Sequence, residues 1–276
     1  TVQDDANIAL GTDYGTFKIC ISECPLSTKY AFDNSAYGIG SDNGYGHGAA
    51  SGTTMQYGKN VNSYNNIQFH APADLLPLGM TFKAAITPGG AGGSANDSVH
   101  SVNGDVNGEM TQYATTITPV DGLTIAASYY DFGDMGGSDN RQKREGGSLS
   151  ANYSMGSFSI GYGETRFTPE QAAGVGNSAA VVVDFYENVG YSLGFAVNEN
   201  LSVSLTQEES TKNQKSKATA TDAITRSDVT MEIQTIDVAY TVGGATFSVS
   251  SSEGTNDSYT SGDDTNEHIF AMSLAF

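Results

Sequence analysis

Lysine and arginine are scarce in this chain: 12 in 276 residues, against 31 aspartates and glutamates, for a formal net charge of −19. Phosphate backbones are bound through clustered cations, so this balance excludes nucleic acid as a partner and makes cations the natural company. Long apolar runs are missing too. A membrane helix needs about 18 consecutive apolar residues, and no stretch approaches that length, which excludes a helical membrane protein. Helical periodicity is nearly absent. There is no G-x-S-x-G elbow, no H-E-x-x-H pair and no glycine-rich phosphate loop between strand and helix, so no enzyme is expected. The opening TVQDDANIAL carries no basic and apolar leader, and any secretory segment is expected outside this sequence.

Cysteine occurs twice, at Cys20 and Cys24 in CISEC. That spacing fits a local disulfide, half of a metal site or two free thiols, and the disulfide is favoured if the compartment is oxidising. No metal and no cofactor is expected.

What the chain does have is glycine (33), tyrosine (15) and phenylalanine (12), set in a period-two pattern. The alternation recurs about thirteen times in segments of roughly 8 to 12 residues, which is the strand signal. In LTIAASYYDF, Leu123, Ile125, Ala127 and Tyr129 share one face, and Thr124, Ala126, Ser128 and Tyr130 share the other. A soluble sandwich alternates as well, but its polar face is typically rich in Lys, Glu, Thr and Arg. Here that face is mostly Ser, Thr, Gly, Asn and Asp, which fits strands with lipid on one side and a water-filled lumen on the other.

Connections alternate short and long. Short ones fall at 12–15, 72–79, 119–122, 155–157, 198–200 and 242–244, and long ones at about 20–60, 89–108, 133–147, 168–180, 210–229 and 254–266. Short periplasmic turns with long outer loops is the arrangement of a bacterial outer-membrane barrel. Aromatics cluster near the short turns, at Tyr14, Phe17, Phe82, Phe158, Phe195, Phe247 and Phe276, as an interfacial girdle requires. Glu164 and Glu187 point to the lipid side on this phase; they sit above the hydrocarbon, face a neighbouring subunit, or mark a bulge.

The chain ends on NEHIFAMSLAF, in which His268, Phe270, Met272, Leu274 and Phe276 alternate outward to a terminal aromatic. This resembles the C-terminal assembly signature of Gram-negative outer-membrane barrels. NIALGTDYGTFKIC resembles the hairpin leading into a porin constriction loop, and NNIQFHAPADLLPLGMTFKAAITPGG the strand, turn and strand after it. Taken in order, these segments resemble the general, trimeric, 16-stranded porins over nearly the whole chain.

The resemblance implies a single all-β, transmembrane, antiparallel up-and-down barrel over 1–276, with a last extracellular loop at 254–266 and a final strand at 268–276. Barrels of single bacterial chains have even strand counts, so about thirteen strands here imply about three more ahead of Thr1. It also implies an inward-folded constriction loop at 21–62, with Glu23, Asp33 and Asp42 as its acidic side and Lys18 and Lys83 on the facing wall. Opposed charges across a constriction create a transverse field that favours one ion sign without tight binding. Gln68, His70, Asp184, Glu208 and Asp237 are the remaining lumen candidates. Among the four histidines, His70 alone is placed in the lumen, where a lining role is the plainer reading.

In the outer loops, the acidic stretch 253–267 lacks the spacing of a calcium loop and reads as solvated acid, and DNRQKRE and TKNQKSK read as basic loop patches. The expected function is passive diffusion of small hydrophilic solutes and ions across the outer membrane, with mild cation preference. Expected partners are outer-membrane lipid, lipopolysaccharide and two further copies in a homotrimer. The alternatives are a substrate-selective porin, a plugged structural or adhesive barrel, and a soluble glycine-rich β-protein.

Overall fold

Period-two alternation over segments this long leaves the backbone one satisfactory solution, an antiparallel ladder between sequence neighbours. The computed structural model, which describes residues 6–21, 23–26, 65–88, 110–132, 142, 145–169, 181–217 and 222–275, has that architecture. Its thirteen strands form one sheet in strict sequence order. They are β1 (Ala6–Thr12), β2 (Gly15–Ile21), β3 (Asn66–His70), β4 (Thr81–Thr87), β5 (Met110–Val120), β6 (Leu123–Phe132) and β7 (Glu145–Met155). The row continues with β8 (Phe158–Thr168), β9 (Val182–Ala196), β10 (Leu201–Ser216), β11 (Thr225–Val242), β12 (Ala245–Thr255) and β13 (Thr265–Leu274). Each strand pairs antiparallel with the next, so β1 and β13 are the two edges of the row among the described residues.

Burial runs opposite to that of a water-soluble domain. Phe270 is 78% exposed and Ile8 73%, whereas Ser210 and Gln112 are 0% and Asp237 1% exposed. The exposed, apolar face is called outer below, and the shielded, mostly polar face inner. Hydroxyl and amide pairs tie the inner face together: Asn188 Nδ2 donates to Thr165 Oγ1 at 2.7 Å, and the hydroxyls of Ser128 and Ser148 meet at 2.6 Å. Such cross-strand pairs satisfy polar groups that would otherwise be costly to shield.

The short connections close as tight turns. Gly243 and Gly244 both hold positive φ (58° and 81°), the requirement of a two-residue turn whose twist matches its flanking strands. Near these turns the outer aromatics pair across strands, Phe158 on Phe195 at 4.4 Å between ring centroids and Phe17 on Phe69 at 5.1 Å.

Two features depart from expectation. The long connection expected at 210–229 is mostly strand: β10 and β11 stay in register from Leu201 opposite Tyr240 to Ser216 opposite Thr225. Beyond Leu205 and Ile236 their outer residues turn polar, so the hydrophobic alternation fades while the hydrogen-bond ladder continues. TKNQKSK is accordingly strand down to Ser216, not loop. Secondly, the inner face is not polar throughout. Ala85, Met110, Ala114, Tyr130, Phe132 and Phe167 form an apolar cluster there, with Tyr130 lying over Gly146 so closely that a Cβ would come within 2.7 Å of the ring.

Candidate functional site

β3 presents Asn66, Gln68 and His70 on the inner face, because alternate residues of a strand point the same way. Their side chains are wired in series. Gln68 Nε2 donates to Asn66 Oδ1 at 2.8 Å, and Gln68 Oε1 lies 2.8 Å from His70 Nε2. The same Gln68 amide donates to the backbone carbonyl of Cys24 at 2.6 Å, and Asn66 Nδ2 donates to that of Glu23 at 3.2 Å.

These contacts hold the start of the long connection after β2 against the inner wall. A disulfide joins Cys20, the last inner residue of β2, to Cys24, with 6.2 Å between Cα atoms. Two residues further on, Leu26 is buried within the apolar cluster of Met110, Tyr130, Phe132 and Phe167. The root of this connection, Glu23 to Leu26, therefore turns toward the inner face, its direction set by a covalent link, two amides and one apolar plug. Residues 27–64, with the expected acidic candidates Asp33 and Asp42, lie outside the described residues. Glu23 is half-buried, and its carboxylate accepts a hydrogen bond from the Asn7 side chain of β1.

The two expected basic residues share the wall with His70. Lys83 stands directly across from His70 on β4, and Lys18 is across from Gln68 on β2, diagonal to His70. All three are half-buried, so this part of the inner face is reached by solvent.

The far wall differs. Glu208 on β10 and Asp237 on β11 point inward as expected but are 2% and 1% exposed, and Asp237 accepts a hydrogen bond from Ser204 Oγ at 3.3 Å. Asp184 stands at the other end of β9, beside the register irregularity at Asn213 and Gln214. There it is ion-paired with Lys215 at 2.7 Å and with Arg226. Gln142 completes this rim cluster, donating to the carbonyls of Pro169, Val183 and Asp184 and accepting from Lys215.

Glu164 and Glu187 do point outward, and no bulge accounts for them, since β8 pairs with β7 and β9 without a register shift. Arg166 lies directly opposite Glu187, and the three charges line a shallow outer notch of about 370 Å³. Leu149 and Val189 stand opposite Glu164, and Arg166 lies 3.8 Å over the ring of Phe185 on β9, so the charges sit at the upper part of the apolar face with one aromatic beyond them. In the final strand Phe270, Met272 and Leu274 are exposed on the outer face as expected, and Phe276 lies outside the described residues.

Asn66, Leu26 and Gln142 were not among the expected residues. Asn66 was legible as the first member of an alternating N-x-Q-x-H run. Leu26 and Gln142 sit in irregular segments, where period carries no signal.

An all-β, up-and-down sheet with an apolar outer face, short turns at one end and long connections at the other has the fold of an outer-membrane β-barrel. No family model matches the chain, and no curated protein matches its sequence. Solved structures do match. OmpT, an outer-membrane protein of Vibrio cholerae, aligns at 13% identity and a TM-score of 0.52, over 97% of this chain and 79% of that one. A loop L8 deletion mutant of the same protein gives 14% and 0.53 over 97% and 78%, and a porin gives 12% and 0.54 over 97% and 80%.

Proposed function

We propose that this protein is a porin-like passive channel of the bacterial outer membrane, which admits small hydrophilic solutes and ions. One observation carries the reading: from the short turns to mid-strand the exposed face is apolar, while the shielded face is mostly polar apart from the clusters around Leu26 and Tyr259. Lipid outside and water inside is the environment in which that arrangement costs nothing, because a barrel satisfies its backbone within the sheet.

On this reading the solvent-reached wall of Lys18, His70 and Lys83 lines the conducting path, and the connection rooted at Glu23 to Leu26 narrows it. The wider excess of acid gives a mild cation preference. We read the chain as one protomer of a homotrimer of the general porin type, surrounded by lipid and lipopolysaccharide. A catalytic role is not proposed: the His70 ring is bonded to the neutral Gln68 amide, which lacks the negative charge by which a carboxylate makes an imidazole a stronger base.

The test is planar-bilayer conductance of the purified protein. Ohmic steps with a small positive selectivity for K⁺ over Cl⁻ support the channel. A saturable block by one solute makes it a substrate-selective porin.

A second reading has its own support. The deep shielding of Gln112, Glu208 and Asp237 fits a barrel whose interior is plugged, serving as a structural or adhesive surface protein. That protein would give no steps at all.

A further inference from the structure

The connection between β12 and β13, expected as mobile solvated acid, is folded back onto the inner face. Its Tyr259 is 7% exposed and packs on Met231 and Ile233, inner residues of β11. The phenol oxygen lies 2.7 Å from Ser210 Oγ on β10, and Lys212 Nζ sits 5.1 Å from the ring centroid. The ring also meets Tyr186 of β9, at 5.4 Å between centroids. Tyr186 in turn stacks on Phe167 at 5.9 Å and packs against the apolar cluster that holds Leu26.

Holding this position strains the backbone. Asn256, Ser258 and Tyr259 all have positive φ (52°, 57° and 57°), a region that side-chain-bearing residues rarely adopt. Such strain persists only where the surroundings over-determine it. Asn256 supplies part of that, donating to the Thr230 carbonyl at 2.8 Å and accepting from the Gly262 N–H at 2.9 Å. The result is a strap over β9–β11 that buries Tyr259 and leaves Asp263 and Asp264 exposed.

We propose that this strap is a second selectivity element, which narrows the lumen above β9–β11 and sets two carboxylates at its mouth to draw cations in. The proposal rests on the channel reading above. It adds a constriction built from the last connection to the one expected from the first, with Tyr259 as its positioning residue and Asp263 and Asp264 as the charges the ions meet. A narrowing in series limits both current and solute size, whereas exposed charge at the mouth changes the ratio of ions more than the current.

The test compares the full-length protein with Tyr259→Ala and with the double variant Asp263→Asn/Asp264→Asn in planar bilayers and in sugar-loaded liposomes. Tyr259→Ala is expected to raise single-channel conductance by about 1.5-fold or more and to admit larger sugars. The double variant keeps the conductance within about a fifth of the parent and moves the reversal potential toward zero in a KCl gradient. Should Tyr259→Ala fail to fold, Asn256→Ala, which removes the bonds to Thr230 and Gly262 that hold the strap, takes its place with the same rise in conductance expected. A conducting parent whose two variants keep its conductance, size limit and reversal potential overturns the strap and leaves the channel standing. A parent that never conducts overturns the channel reading, and the strap as a selectivity element with it.

Discussion

Gln68 reaches across 44 residues of sequence to donate its side-chain amide to the carbonyl oxygen of Cys24. With the Cys20–Cys24 disulfide, this bond fixes where the connection after β2 leaves the wall. Gln68→Ala removes the donor and leaves a shielded carbonyl, at a cost of about 1–3 kcal/mol. Cys20→Ser/Cys24→Ser reopens a short loop, at a cost of about 2 kcal/mol. Both variants are expected to lower the midpoint of denaturant unfolding in detergent and to broaden the current noise. Unfolding curves and noise identical to the parent's contradict the clamp.

Charge placed on the two faces is expected to cost differently. Val238 lies on the outer face of β11, at mid-height of its apolar stretch, and Val238→Lys is expected to cost about 2–4 kcal/mol in folding from urea into liposomes. Thr124→Lys, on the opposite phase of β6, is expected to change stability by less than about 0.5 kcal/mol. Equal costs at the two positions would mean that the faces are wrongly assigned.

At 16 and 18 residues, β10 and β11 are longer than the ~9–11 that a membrane strand requires, and the outer face of their far ends is polar, with Gln207 opposite Gln234, Glu209 opposite Glu232 and Thr211 opposite Thr230. This hairpin should project outside the membrane. Trypsin applied to intact cells is expected to cleave after Lys217 or Arg226, the basic residues flanking the connection, and to leave the conductance unchanged. Protection of the hairpin, or loss of current on cleavage, contradicts the projection.

The rim cluster makes a further prediction. Asp184→Asn removes the carboxylate that holds both Lys215 and Arg226, and Arg226 is largely exposed, so the cost should be modest, about 1 kcal/mol. Amide exchange is expected to accelerate at 182–184 and 214–216 and to stay unchanged at the short-turn ends of β9 and β10. Uniform acceleration along both strands would argue against a local latch.

How far the sequence could be read follows from what period two encodes. It locates strands and turns where apolar residues mark one face, as from Leu123 to Tyr129 or from Phe270 to Leu274. It falls silent where apolar residues stop marking a face, which is why 210–216 of β10 and 225–229 of β11 looked like a loop. It also tells face but not neighbour: Met110, Tyr130, Phe132 and Phe167 fall on the inner phase, yet nothing in the pattern says that they converge on Leu26. Lys18, His70 and Lys83 were legible because they alternate with outer aromatics and aliphatics. Tyr259 was not, since its acidic surroundings read as solvated while its contacts are made with three distant strands.

The absence of tryptophan permits a direct test of the central claim, that the apolar face meets lipid and the polar face meets water. Phe270→Trp and His70→Trp each introduce a single indole, one on the outer face and one on the solvent-reached inner wall. In liposomes, brominated acyl chains are expected to quench the first and leave the second, and aqueous iodide to do the reverse. Equal quenching of both by either agent, or an indole at 270 that only iodide reaches, would contradict the account.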